Sequence, residues 1–432
     1  MSDWQSLRLG DMAQGIRGVS YIPENLHETS SPKTVTLLRS NNINNGVINL
    51  KNVKFVSEAN VSERQIIQKG DIAVCMSNGS KALVGKAARL FDDGARMTVG
   101  AFCSIFRPKV GCDDRFVAHV FQSQQYRQHI DVVLAGSAIN NLQNKTVENL
   151  QLLAPSYLDQ QKIAQILDTL DTQIQKTKAL IAKLEKIKEG LLHDLLTRGI
   201  DQNGQLRLTP DQAPGIYKES ALGLIPKEWE ATTVGELGVW RGGATPSKGN
   251  QKFWPSQGLL WVSPKDLNQD IIDITEDKVS ELACGVANLT IFPPETVLVV
   301  FRSGILRRKL PVVKVLKMFT VNQDIKALLP SDEISKGFIH YLLQGHAKGI
   351  LNSSLKAGTT VESLDFRFFS SYRLPLPPLD EQEKISARLG SIEKRLAQEI
   401  KFLEKQKINK IGLMDDLLTG HVRVTPLLKD AV

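Results

Sequence analysis

The sequence predicts an α+β protein. Two α/β-mixed domains are separated by two long helices that form an antiparallel coiled coil, and the whole is pseudo-two-fold symmetric. Three observations predict this. The chain repeats itself about 222 residues apart: Gly190-Leu191-Leu192-His193-Asp194-Leu195-Leu196-Thr197 returns as Gly412-Leu413-Met414-Asp415-Asp416-Leu417-Leu418-Thr419. Pairing 159–197 with 381–419 without a gap gives 12 identities in 39 positions, and self-similarity at a fixed period sets the architecture. The repeated segments carry apolar residues at alternating steps of four and three, which is a coiled-coil seam. The segments before them carry short β-rich runs ended by polar residues and glycine.

The first domain is placed at 1–157. Gly70-Asp71-Ile72-Ala73-Val74-Cys75-Met76 reads as a strand and 114–134 as helical. Its landmarks return in a second domain at 229–378. Trp4…Gly10-Asp11-Met12 is echoed by Trp229…Gly235-Glu236-Leu237, and Met76-Ser77-Asn78-Gly79 by Phe301-Arg302-Ser303-Gly304, both at an offset of 225. Ala135-Gly136-Ser137…Leu142 matches Ala357-Gly358-Thr359…Leu364 at 222, so the second copy is three residues shorter between these anchors. Thr296–Phe301 reads as a strand and 336–351 as helical. Each domain is expected to hold a twisted, mostly antiparallel sheet.

The first spacer helix is placed at 158–198. Its seam is Ile163, Leu167, Leu170, Ile174, Ile181, Leu184, Leu191 and Leu195, with Thr177 and Lys188 as polar members. The second, at 379–420, has Ile385, Leu389, Ile392, Leu396, Leu403, Leu413 and Leu417, with Glu399, Gln406 and Lys410 polar. Asp159 and Asp380, just after prolines, are expected to cap the helix starts. Gly199 and Gly420 stand where helix stops belong. Residues 199–228 form a polar, turn-rich linker, and an antiparallel pairing leaves each domain its own space. A tail follows at 421–432.

The 432-residue chain carries a net charge of +8. The repeats are neutral: 159–197 has six basic and six acidic residues, and 380–419 has eight of each. The excess lies in 1–158 (17 basic, 13 acidic) and 198–379 (21 basic, 18 acidic), which suits a polyanion partner held by the domains. No apolar run approaches a membrane span, and no signal peptide is evident. Cys75, Cys103, Cys112 and Cys284 show no paired spacing and read as thiols of a reducing cytoplasm. Catalytic motifs are missing. Ser80–Ala87 has Ser80 where a phosphate loop needs glycine and Ala87 where it needs a hydroxyl. Glu276-Asp277-Lys278 has the end of a nuclease site and nothing to complete it. There is no paired-histidine metal motif, no amino-methyltransferase segment and no nucleophile elbow. A binding protein with no catalytic residue, metal or cofactor of its own is expected.

The Asp159-Gln160-Gln161-Lys162-Ile163 and Glu381-Gln382-Glu383-Lys384-Ile385 helix starts, the Asp-Leu-Leu-Thr exits and the stretch Tyr217–Trp229 resemble the conserved regions of type I restriction–modification specificity subunits. The resemblance covers essentially the whole chain. It implies two target recognition domains, each reading one half of a split double-stranded DNA site. It also implies helices that act as a ruler and as a dock for two methyltransferase subunits. Restriction or translocase subunits join for cleavage. S-adenosylmethionine, ATP and magnesium belong to those partners. DNA contacts are expected from loops beside the strands: Arg39, Ser40, Asn41, Asn42 and Lys81 in the first domain, and Lys248, Lys265, Arg302, Arg307, Arg308 and Lys309 in the second. Arginine pairs with guanine edges, asparagine with adenine, and lysine mostly meets phosphate. The alternative is a non-catalytic two-domain protein-binding scaffold on a helical spacer.

Overall fold

A computed structural model describes residues 4–44, 46–90, 96–136, 140–356, 358 and 360–429. Ser137, Ala357 and Thr359, among the repeat anchors, lie outside them. The chain divides into two compact units, 1–179 with 400–432 and 180–399. Each unit therefore contains one globular domain, part of the first long helix and part of the second.

In the first unit the strands Ala13–Arg17, Cys103–Pro108, Ile72–Cys75, Ala87–Arg89, Gly46–Ile48 and Ile43–Asn44 lie side by side in that order. In the second unit the order is Gly238–Gly242, Ile325–Pro330, Thr296–Val300, Val312–Val315 and Ile271–Ile272. The first five of the first unit's six strands correspond in order to these five, at offsets of 222 to 225, and Ile43–Asn44 has no counterpart in the second sheet. A smaller sheet accompanies each. Thr34–Leu38 runs parallel to Met97–Val99, as Leu259–Val262 does to Phe319–Val321. The expected single sheet is thus two larger sheets per domain and a strand pair joining its ends, Gln5–Arg8 with Gln151–Ala154 in the first and Glu230–Thr233 with Arg373–Leu376 in the second. Antiparallel pairs dominate, with parallel pairs wherever the chain returns through a crossover. Arg89 corresponds to Lys314 by 225, and Met97 to Phe319 by 222. The three-residue shortening therefore falls between those strands.

The frame demands glycine at one repeated place. A Cβ on Gly18 would lie 2.2 Å from the Gly100 carbonyl oxygen, and one on Gly243 would lie 1.8 Å from that of Val321. Only a residue without a side chain lets the backbone pass there.

The predicted helix over 114–134 is two helices, Asp114–Val120 and Gln124–Ala135. Ser123 separates them, bonding back to the Val120 carbonyl at 2.7 Å and capping the next turn through the Tyr126 N–H at 3.1 Å. Its counterpart, Lys336–Ser354, is unbroken.

Both long helices have 41 residues, Tyr157–Thr197 and Leu379–Thr419; the first starts one residue ahead of its predicted bound, the second at it, and each ends one residue early. Asp159 is therefore not the cap. It lies inside the first turn and accepts from the Ser156 hydroxyl at 2.9 Å. Asp380 also lies inside its helix and pairs with Lys384. Within each unit the helix segments run antiparallel. Lys410 meets Asp171 at 2.6 Å in the first unit, and Lys188 meets Glu393 at 2.7 Å in the second. These ion pairs are each other's repeat, since 188 and 410, like 171 and 393, are 222 apart. Every predicted seam residue is buried or half-buried. Toward the helix ends the seam enters the domain cores: Ile163 and Leu167 in the first, Leu195, Ile385 and Leu389 in the second.

A buried glutamine ties each helix start to its domain. Gln160 accepts from the Asp113 N–H at 3.0 Å and donates to the Pro155 carbonyl at 3.0 Å. Gln382 does the same with Ser335 at 2.9 Å and Pro377 at 2.9 Å. The segment 199–228 is ordered: Tyr217–Ser220 and Gly223–Pro226 form a hairpin. Arg207 reaches the buried Glu381, which also accepts from the Trp229 indole at 3.0 Å and the Ile200 N–H at 2.8 Å. In the first unit residues after the second helix take that part. Val424 is buried in the core, and Arg423 stacks 4.5 Å above the Trp4 ring. Among the described residues no helix is long and apolar enough to cross a membrane.

Candidate nucleic-acid interface

A strand that ends in a tight turn projects the turn's side chains beyond the sheet, and both domains do this at the same two places. After Thr34–Leu38 comes Arg39 and the turn Ser40–Asn42; after Leu259–Val262 comes Ser263 and the turn Pro264–Asp266. The turns are closed alike, the Arg39 N–H on Asn42 at 2.9 Å and the Ser263 N–H on Asp266 at 2.9 Å. The second place follows Ile72–Cys75 and Thr296–Val300. It carries the turns Lys81–Leu83 and Gly304–Arg307, and is pinned by the bridges Ser77 to Asn141 and Arg302 to Ser363. The residues chosen from sequence, Lys248 apart, thus fall on two pseudo-equivalent pairs of loops.

In the first domain Arg39, Ser40 and Asn41 line one cleft of about 410 Å³ together with Asn78, Tyr21 and Phe102. Sequence reasoning missed these last three as contacts, although Asn78 sits in a repeated anchor. The Arg39 guanidinium donates to the Asn52 carbonyl at 3.3 Å, while its Nε has no partner among the described residues. Asn78 donates to the Ser40 hydroxyl at 3.3 Å. Asn42 differs from expectation. It is fully buried, and its amide is consumed by the Arg39 N–H and by the carbonyls of Asn49 and Lys51. It builds the turn and has nothing to offer a base. Lys81 is exposed and does not line the cleft. Ser80–Ala87 forms a short 3-10 turn and enters a strand, unlike the loop-to-helix form of a phosphate loop.

In the second domain two lysines are already partnered. Lys248 lies 2.9 Å from Asp277 and 3.4 Å above the Trp254 ring, and Lys265 lies 3.0 Å from Glu276 and 3.1 Å from Asp277. The Lys248 hydrogen bond, joined by Lys265, holds the Asp277 carboxyl below its ordinary range. The Glu276-Asp277-Lys278 run is thus neutralised from within. Arg307 pairs with Glu362, a partner the sequence did not suggest. Arg302, Arg308 and Lys309 are exposed and have no side-chain bond among the described residues. The densest open positive charge of this domain therefore sits on the loop after Thr296–Val300.

Comparison with known proteins places this geometry. A family profile described as the type I restriction modification DNA specificity domain matches residues 1–186 and again 226–411. The chain is 33% identical over 197 residues to the type I restriction enzyme EcoR124I/EcoR124II specificity subunit of Escherichia coli, covering 44% of this chain and 49% of that one. It is 24% identical over 445 residues to the MjaVIII specificity subunit of Methanocaldococcus jannaschii, covering 98% and 94%. The chain spans about half the length, or less, of the relatives it matches at 33–34% identity. In fold it is similar to the S subunit of a type I restriction–modification system from M. genitalium, with a TM-score of 0.56 at 15% identity over 96% of both chains. A further type I system chain has a TM-score of 0.58 at 17% identity, over 97% of this chain and 98% of that one.

Proposed function

The chain belongs to the type I restriction–modification DNA specificity family, and we propose that it is the non-catalytic, DNA-reading subunit of such a complex. Each domain binds one half of a bipartite duplex site. The helices set the gap between the halves and dock two methyltransferase subunits. Methylation with S-adenosylmethionine, and cleavage with ATP and magnesium in restriction subunits, belong to the partners. The observation that supports this best is the paired loops: one frame, used twice, presents different side chains from the same positions. A bipartite target needs that arrangement, with separable readers on a common scaffold. We assign DNA contact to Arg39, Ser40, Asn41, Arg302, Arg308 and Lys309, with Lys81 toward phosphate. Asn42 leaves the set because it is buried, Lys248 and Lys265 because Asp277 holds them, and Arg307 because Glu362 does.

The test is a shift assay with duplex DNA over a salt series. Affinity should fall steeply with salt, and a selected target should have two halves with a fixed gap. Adding one heptad to both helices, near Thr177 and Glu399, lengthens the rod by about 10 Å. The selected gap should then widen by about three base pairs with both halves unchanged. Salt-insensitive binding, or none, would instead leave a protein-binding scaffold.

A further inference from the structure

We propose that the first domain's cleft holds one nucleobase of its half-site, drawn out of the duplex stack against Tyr21 and Phe102 and hydrogen-bonded by Asn41 and Asn78. This rests on the DNA-reading function above and adds a binding site to it.

The rings carry the argument. Phe102 is 65% exposed, on a turn that is held rather than loose. The Cys103 N–H bonds the Gly100 carbonyl at 2.8 Å, and the Phe102 carbonyl accepts from the Met76 N–H at 2.8 Å. A large apolar ring fixed in water at the mouth of a polar cleft is an unfilled contact. Tyr21 forms another wall. It lies against Gly100, where an added Cβ would come within 3.1 Å of the Tyr21 ring. The glycine lets the ring settle on the backbone. The cleft's volume of about 410 Å³ falls in the range of roughly 300–1,000 Å³ for sites that bury small organic ligands, and a nucleobase is a small, flat one.

The polar lining fits a neutral ring beside a phosphate backbone. No carboxylate lines the cleft among the described residues. Asn41 is exposed at its edge, and the Arg39 Nε–H has no acceptor. Asparagine amides match the edge of adenine. Base edges in an intact groove are read by hydrogen-bonding groups and, at thymine, by apolar contact with the methyl. A pair of aromatic faces gains most from a base whose own stacking has been broken. Two rings among amides therefore favour an unstacked base over groove reading.

The second domain serves as an internal control. Its frame positions matching Tyr21, Asn41 and Phe102 hold Pro246, Lys265 and Asp324, none of them aromatic. Beyond the base that each methyltransferase subunit extrudes for its own chemistry, base opening is expected in the first half-site only.

The experiment uses the assembled complex and duplexes of its selected target, with 2-aminopurine placed at successive positions of both halves. That probe brightens when unstacked. Besides the methylated position, which the methyltransferase subunit extrudes, one further position in the first half should brighten severalfold on binding. Phe102→Ala should abolish the rise at that further position and weaken binding roughly tenfold or more, and Phe102→Trp should keep both. Two results overturn the proposal: specific binding with no bright position in the first half other than the methylated one, or a rise at the further position that survives Phe102→Ala. Absence of any specific DNA binding would instead overturn the DNA-reading function beneath it.

Discussion

The loop after Thr34–Leu38 offers Arg39, Ser40 and Asn41 to a cleft, whereas its counterpart after Leu259–Val262 spends Lys265 on Glu276 and Asp277. At the next loop the roles reverse. The first domain has Lys81 alone there, and the second presents Arg302, Arg308 and Lys309 unpaired among the described residues. One domain thus displays a single arginine among neutral hydrogen-bonding groups and aromatic rings, and the other displays a cluster of cations. A basic residue has value for DNA only if the fold leaves it open. A lysine already paired must break that pair before it meets phosphate. Below the loops the contrast is also visible. In the second unit Glu381 gathers Arg207, Trp229 and Ile200, while at the matching place Asp159 holds, among the described residues, only the Ser156 and Thr425 hydroxyls, at 2.9 and 3.4 Å.

The largest effect should come from that buried carboxylate. Glu381→Ala takes the main partner from the half-buried Arg207, which keeps only Glu228 and the Arg198 carbonyl among the described residues, and leaves the buried Trp229 indole unpaired; it should cost about 3 kcal/mol. Asp159→Ala should cost about 1 kcal/mol. Denaturant midpoints of the two variants measure the difference, and equal losses would erase the contrast. Acid should separate the units next. His340 is fully buried, with neither ring nitrogen bonded among the described residues; burial pushes it down to about 4, with Lys314 and Lys188 adding to the fall and Glu393 and Asp270 opposing it. The unfolded chain takes up this proton near 6.5, whereas the folded chain refuses it until about 4. Stability is therefore intact above 6.5 and falls as pH drops toward 4, by roughly 3 kcal/mol in total. The first unit has Ala118 at this position. His340→Leu should flatten the acid limb of a stability–pH curve, and an unchanged slope would place the acid sensitivity elsewhere.

On DNA, Arg308→Ala should weaken binding by about 2 kcal/mol and Lys265→Ala by less than about 0.5 kcal/mol, from dissociation constants at one salt concentration. A larger loss for Lys265 would show that its ion pairs open on binding. The smallest effect tests where the units are alike. Lys188→Met and Lys410→Met each remove one half-buried ion pair between the helix segments, and each should cost about 1 kcal/mol. Unequal thermal shifts would show that the two pairs are not equivalent.

Much of the frame was legible in the linear order. Heptad leucines, paired prolines and an offset that steps from 225 to 222 placed the domains and helices, because period and repetition are written along the chain. The site was legible only in outline. Arg308 and Lys309 could be chosen as a cluster, but nothing adjacent to Lys265 or Lys248 announces that both converge on Asp277. Asn42 looked like its neighbour Asn41, and only the turn's geometry turned one amide inward. Tyr21, Asn78 and Phe102 lie up to 81 positions apart in the chain (102 less 21) and meet only where strands ended at the same edge.

By itself, then, the sequence determined the two-fold repetition, the helical spacer and the class of function, since hydrophobic period and duplicated segments act locally and survive without coordinates. Tertiary structure alone decided which polar side chains are spent inside the protein and which face outward. That outcome depends on which charges and amides the packed sheets bring within about 3 Å of one another, a distance that separation along the chain does not encode.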